Sequence, residues 1–183
     1  MLRTALLLLA VLALAGCGGD DQSASEEYAD DVCSTLSTWV TDVEETVTSL
    51  TGQGLAINRE DIETAVEETK GATETLADDL QALGAPETED GNEAKSELES
   101  LGTTLDQQLA TVEEALDSGG GVTALAATVT TAISTAATAV DQAYQDLQGL
   151  DPGGELSEAF QDSDECDSLR EQLDEIGSGE DGG

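Results

Sequence analysis

Histidine is absent from the chain, only five residues are basic, and the aromatic complement is one Trp, one Phe and two Tyr. Without histidine there is no Ser-His or Cys-His nucleophile system and no HExxH metal site. Five basic residues against 41 acidic ones, a formal net charge of −36, exclude nucleic acid as a partner, because that binding is driven by Lys and Arg displacing counterions from phosphate. The same field opposes adhesion to anionic lipid headgroups. No GxxxxGK[ST] or GxGxxG loop is present, and Gly119 to Gly121 lack the preceding strand that a phosphate loop requires. Scarce aromatics leave Leu, Val and Ala to build the core, and these bury less area per residue.

What is there begins at the N-terminus. Arg3 provides a short positive region, Ala5 to Leu14 are ten unbroken apolar residues, and Leu14, Ala15, Gly16 and Cys17 follow directly. This is the order of a lipoprotein signal, with Cys17 as the lipidated first residue of the mature protein; an ordinary secretory signal with an incidental cysteine is the alternative. Ten residues extend only about 15 Å as a helix, roughly half the hydrocarbon thickness, which disfavours a permanent span. The expected organisation is a cleaved signal peptide over 1–16, a lipidated Cys17 and flexible acidic tether over 17–27, a helical domain over 28–176, and a disordered tail over 177–183. Contact with the membrane then comes from acyl chains on Cys17, at the extracytoplasmic face of the cell membrane.

Two further cysteines, Cys33 and Cys166, would face an oxidising compartment and form the expected disulfide. Closing a loop of about 134 residues stabilises by roughly 5 kcal/mol in the chain-entropy model. A metal site on these two thiols is the alternative, but no CxxC spacing and no histidine completes a tetrahedral shell, so no metal and no cofactor is expected.

Apolar spacing predicts helices throughout. Val32, Leu36, Trp39, Val43 and Leu50 form one stripe, ended by Thr51, Gly52 and Gly54. A second stripe runs from Ile62 through Val66, Leu76 and Leu80 to Leu83, with Asn58 and Asp61 as its cap and Gly84 and Pro86 as its stop. A third helix is expected over roughly 87–117 and a fourth over about 122–148, separated by Gly119 to Gly121. A single shorter helix should carry Leu156, Phe160, Cys166, Leu169, Leu173 and Ile176. Such stripes are buried only against one another, so the fold class is all-α: an up-and-down antiparallel bundle of four long helices plus a shorter C-terminal helix.

Residues 118–140 contain no charged side chain. A membrane span is opposed by six threonines, two serines and the lack of a basic flank. The readings left are a helix covered on more than one side, or a small-residue face for a protein partner or for self-association.

Carboxylate chemistry is the remaining catalytic option, since acidic pairs occur at Asp30–Asp31, Glu44–Glu45, Glu67–Glu68, Asp78–Asp79 and Glu113–Glu114. All fall on polar helix faces, where a carboxyl lacks the burial that makes it a catalytic acid. Asp162, Asp164, Glu165 and Asp167 crowd Cys166, but an EF-hand begun at Asp162 would need Gly and Glu where Asp167 and Leu173 stand. Weak, unspecific association of divalent cations is what so acidic a surface implies.

In its lipobox, helical periodicity, cysteine pair and acidic Thr- and Ala-rich composition, the chain resembles small uncharacterised lipoproteins of actinobacteria, chiefly over Tyr28 to Leu36 and around Cys166, Ser168 and Leu169. The resemblance is one of layout along nearly the whole length and implies no activity. The expectation is a lipid-anchored, non-enzymatic interaction or structural module of the envelope. The alternative is a ligand-binding or sensing lipoprotein that captures a cation, a basic peptide or a small solute between its helices.

Overall fold

Each long apolar stripe becomes a helix. A computed structural model describes residues 20–52, 57–86, 88, 90–150 and 153–178. These form α1 (Asp20–Gly52), α2 (Arg59–Leu83), α3 (Gly91–Asp117), α4 (Val122–Gly149), α5 (Glu155–Asp162) and α6 (Asp164–Ser178), with no strand among the described residues.

The start of α2 follows from its sequence alone. The Asn58 side chain accepts from the Glu60 and Asp61 amides, and the Asp61 carboxylate accepts from the Asn58 amide at 2.9 Å, a reciprocal capping box. Gly84 stops the helix at φ 72°, a conformation that costs glycine little. The α3 helix begins at Gly91 rather than near 87, because the chain folds back over Pro86. A Cβ at Gly91 would lie 2.0 Å from the Pro86 carbonyl oxygen, so only glycine permits this approach.

Two boundaries differ from the sequence expectation. The segment expected to be a flexible tether is helical from Asp20, and Ser25 is fully buried. The single C-terminal helix is two, because Ser163 adopts an extended conformation (φ −74°, ψ 127°). Its hydroxyl donates to Asp30 Oδ1 at 2.6 Å and accepts from the Cys166 amide at 3.2 Å, which ends α5 and caps α6. The predicted tail is helical to Ser178, and residues 179–183 lie outside the described residues.

The helices pack as a bundle. Consecutive long helices are neighbours, α1 on α2, α2 on α3 and α3 on α4, while α5 and α6 pack against both α1 and α4. The larger of two hydrophobic clusters joins Val32 and Leu36 of α1 to Leu101 of α3, Val140 of α4, Phe160 of α5 and Leu169 of α6. The smaller holds Ile62, Val66, Val112, Leu125 and Ala132. Leu, Val and Ala dominate, as their abundance requires, yet all four aromatics are also buried. Tyr28 meets Phe160 edge-on at 6.3 Å, and the Trp39 indole donates to Thr73 Oγ1 at 3.0 Å.

Candidate functional site

Cys17 and the apolar segment before it lie outside the described residues. Cys33 of α1 and Cys166 of α6 form a disulfide, with 4.9 Å between Cα atoms and both residues fully buried. Asp30 to Ser163 and Ser37 to Gln172, the latter at 2.9 Å, continue the same seam, so α6 is fastened along the first half of α1. The seam places the staple beside Tyr28, whose hydroxyl reaches the Gly84 carbonyl at 3.4 Å. Burial pushes the Tyr28 phenol up to about 12, because the phenolate would lose its water. Burial also raises the Tyr144 phenol.

The carboxylates are arranged as a coat. Among the described residues none that is buried is Asp or Glu, and every member of the five acidic pairs is half-buried or exposed. Several have structural partners: Asp30 receives Ser163, and Glu113 receives Lys70 at 2.8 Å. That carboxylate, through its hydrogen bond and charge, raises the Lys70 ammonium above its ordinary value. The four acids around Cys166 are exposed, and Asp167 pairs with Arg170. Among the described residues no group of three His, Cys, Asp or Glu side chains is placed to hold a metal ion.

All four basic residues after Arg3 are in ion pairs, so each is already engaged with the protein's own acids. Arg59 does more than the others. Its Nη1 donates to the Leu116 carbonyl at 3.0 Å and its Nη2 to the Gly120 carbonyl at 3.2 Å, closing the end of α3 from the start of α2. No basic residue occupies the last turn of α3, so this cation arrives from another helix to meet the negative end of the dipole. Sequence reasoning missed this role; four cations in so acidic a chain was the available signal.

The charge-free segment falls mostly on α4, which by length and composition alone could cross a membrane. Its inner stripe is otherwise engaged, with Leu125, Ala136, Val140 and Leu147 inside the bundle. The outer face presents Thr130, Thr131, Thr135 and Thr138, and each hydroxyl donates to its own helix's carbonyl four residues earlier. The face therefore shows methyl groups with few unmet polar atoms.

Between the two hydrophobic clusters lies an apolar cavity of about 40 Å³, bounded by all four long helices. Its walls include Trp39 and Leu50 of α1, Val66 of α2, Val112 of α3, and Val129 and Ile133 of α4. No Asp, Glu, Lys or Arg lines it, so it is built for apolar contact and offers no acid–base chemistry. The chain matches no protein-family model, and neither a curated protein nor a solved structure matches it.

Proposed function

We propose that this chain is a lipid-anchored protein of the extracytoplasmic face of the cell membrane, acting without catalysis as an interaction or structural module of the envelope. The observation that carries the reading is the run Ala5 to Leu14 followed directly by Ala15, Gly16 and Cys17. Removal of residues 1–16 leaves Cys17 to carry the acyl chains, as the resemblance to actinobacterial lipoproteins implies. A buried disulfide suits an oxidising compartment. The exposure of the carboxylates among the described residues supports the non-enzymatic reading over a carboxylate enzyme.

The four long helices in this proposal run up and down, each antiparallel to the next. Links of six, seven and four residues between α1, α2, α3 and α4 support that order, because so few residues cannot return the chain along a helix of 25 residues or more. The charge-free face of α4 is the surface at which a partner protein or a second copy meets the least repulsion. The test is fractionation of cells producing Cys17→Ser. The variant should leave the membrane for the soluble extracytoplasmic fraction, and membrane association that still needs detergent would refute the anchor.

A further inference from the structure

Gly102 stands in the middle of α3, where glycine is the weakest helix former after proline, yet a Cβ there would meet nothing within 4 Å. The space it leaves open belongs to a cavity of about 340 Å³ between α2 and α3, the most loosely packed of the consecutive long helices. Ala77 and Gly84 line the same space from α2, so three of its positions carry at most a methyl group. The volume falls within the range of about 300 to 1,000 Å³ usual for small-molecule sites.

The lining divides into an apolar floor and a charged rim. Leu76, Leu80, Leu98 and Leu105 are buried members of the larger hydrophobic cluster, so the floor is the outer edge of the core. The hydroxyls add little, because Thr73 and Thr103 donate to the Thr69 and Glu99 carbonyls of their own helices at 2.9 and 3.0 Å. On the rim Lys95 and Glu99 neutralise each other at 2.8 Å. Asp106 is exposed and has no cation among the described residues, because the four basic residues after Arg3 are all paired with other acids.

We propose that this cavity binds a small organic monocation, an amine or quaternary ammonium with an apolar body. The body displaces water from the leucine floor, and the head pairs with Asp106. Lys95 precedes Asp106 by eleven residues on the same helix, about 16 Å along its axis, so it does not oppose a head placed there. A net charge of −36 attracts cations and repels anions. A second positive charge would find no other unopposed carboxylate in the lining. The site does not involve Cys17, so it stands or falls independently of the anchor.

The probe is cyclohexylmethylamine, protonated at neutral pH, with cyclohexanemethanol and cyclohexanecarboxylate as its neutral and anionic counterparts. Each is titrated into the purified full-length chain at about 0.15 M sodium chloride, which screens diffuse attraction to the acidic coat. The methyl resonances of isotope-labelled leucines report where each one binds. The amine should shift Leu76, Leu80 and Leu98 saturably, the alcohol should bind about three- to fivefold more weakly, as the loss of one exposed charge pair implies, and the carboxylate more weakly still. Gly102→Leu fills the open space and should weaken the amine at least about tenfold while thermal melts show a folded protein. Asp106→Asn should abolish the preference for the amine over the alcohol. The proposal is overturned if the amine gives no saturable shift of these leucines, if amine and alcohol bind the parent equally, or if folded Gly102→Leu binds as the parent does. Should Gly102→Leu fail to fold, Asp106→Asn decides: loss of the amine's advantage supports the site, and its retention refutes it.

Discussion

Arg59→Met should destabilise the protein more than the loss of any other cation, and the reason lies in what the guanidinium touches. Methionine keeps an unbranched apolar stem reaching about as far as the arginine Nε, with similar helix propensity, so the change removes the guanidinium while leaving the stem's packing in place. Two charge-assisted bonds go with them, to the carbonyls of Leu116 and Gly120, as does the ion pair with Glu63 at 3.3 Å. A bond from a charged donor contributes about 1.5 to 3 kcal/mol when well shielded. The Arg59 side chain is 38% exposed, so solvent screening reduces the two bonds together to roughly 1 to 2 kcal/mol. The Glu63 pair, at i and i+4 on one helix, adds only about 0.3 to 0.5 kcal/mol. At about 2 to 4 °C per kcal/mol for a chain of this size, the bonds and the pair together should lower the melting temperature by about 3 to 10 °C. Removing any cation also increases the net negative charge, and Lys95→Met measures that general cost, since among the described residues Lys95 pairs with Glu99 on its own helix in the same i, i+4 relation. Denaturant titration of the parent, the two variants and Glu63→Gln separates the contributions. If Arg59→Met costs no more than Lys95→Met, or if Glu63→Gln alone reproduces the loss, the carbonyl contacts do not stabilise the end of α3.

Reduction of the Cys33–Cys166 bridge should require unfolding, because both residues are fully buried; peptide mapping after alkylation in dithiothreitol should find neither Cys33 nor Cys166 labelled until denaturant is added. Replacing both cysteines by alanine should lower stability by at most about 5 kcal/mol, the chain-entropy limit for so long a loop, and a loss under about 1 kcal/mol would show that the staple contributes little. The folded Tyr28 phenol titrates at about 12 against an ordinary value of 10.0, so its stabilising contribution is whole below pH 10 and is lost as pH rises through 12. Absorbance titration of Tyr28→Phe beside the parent should show the loss of the ionisation near 12. Sodium chloride should raise the melting temperature by screening repulsion among the 41 acids over about 8 Å, with magnesium and calcium acting alike at matched concentration. A saturable rise at micromolar levels of one divalent ion would reveal a dedicated site instead.

The sequence by itself determined the helices. Steps of three and four between apolar residues depend only on the 3.6-residue turn, and the Asn58–Asp61 cap depends only on neighbours, so both were legible without any knowledge of the fold. The pairing of Cys33 with Cys166 was legible once Cys17 was read as the lipid carrier, because the two cysteines left admit one intramolecular bridge. Tertiary contact decided what local pattern could not. The apolar rhythm from Leu156 to Leu173 reads as one helix, and only the approach of Asp30, 133 positions away in sequence, converts Ser163 into a break and a cap. Gly91 reads as an ordinary helix-weakening glycine until the Pro86 carbonyl is found where its side chain would be. Arg59 reads as a solvated helix-surface charge, and its function at the end of α3 arises because α2 begins where α3 stops. The small cavity beside Trp39 belongs to no single stripe. It exists because Val, Ala and Thr from four helices leave space between two clusters, and the volume enclosed by several faces is a property of their packing.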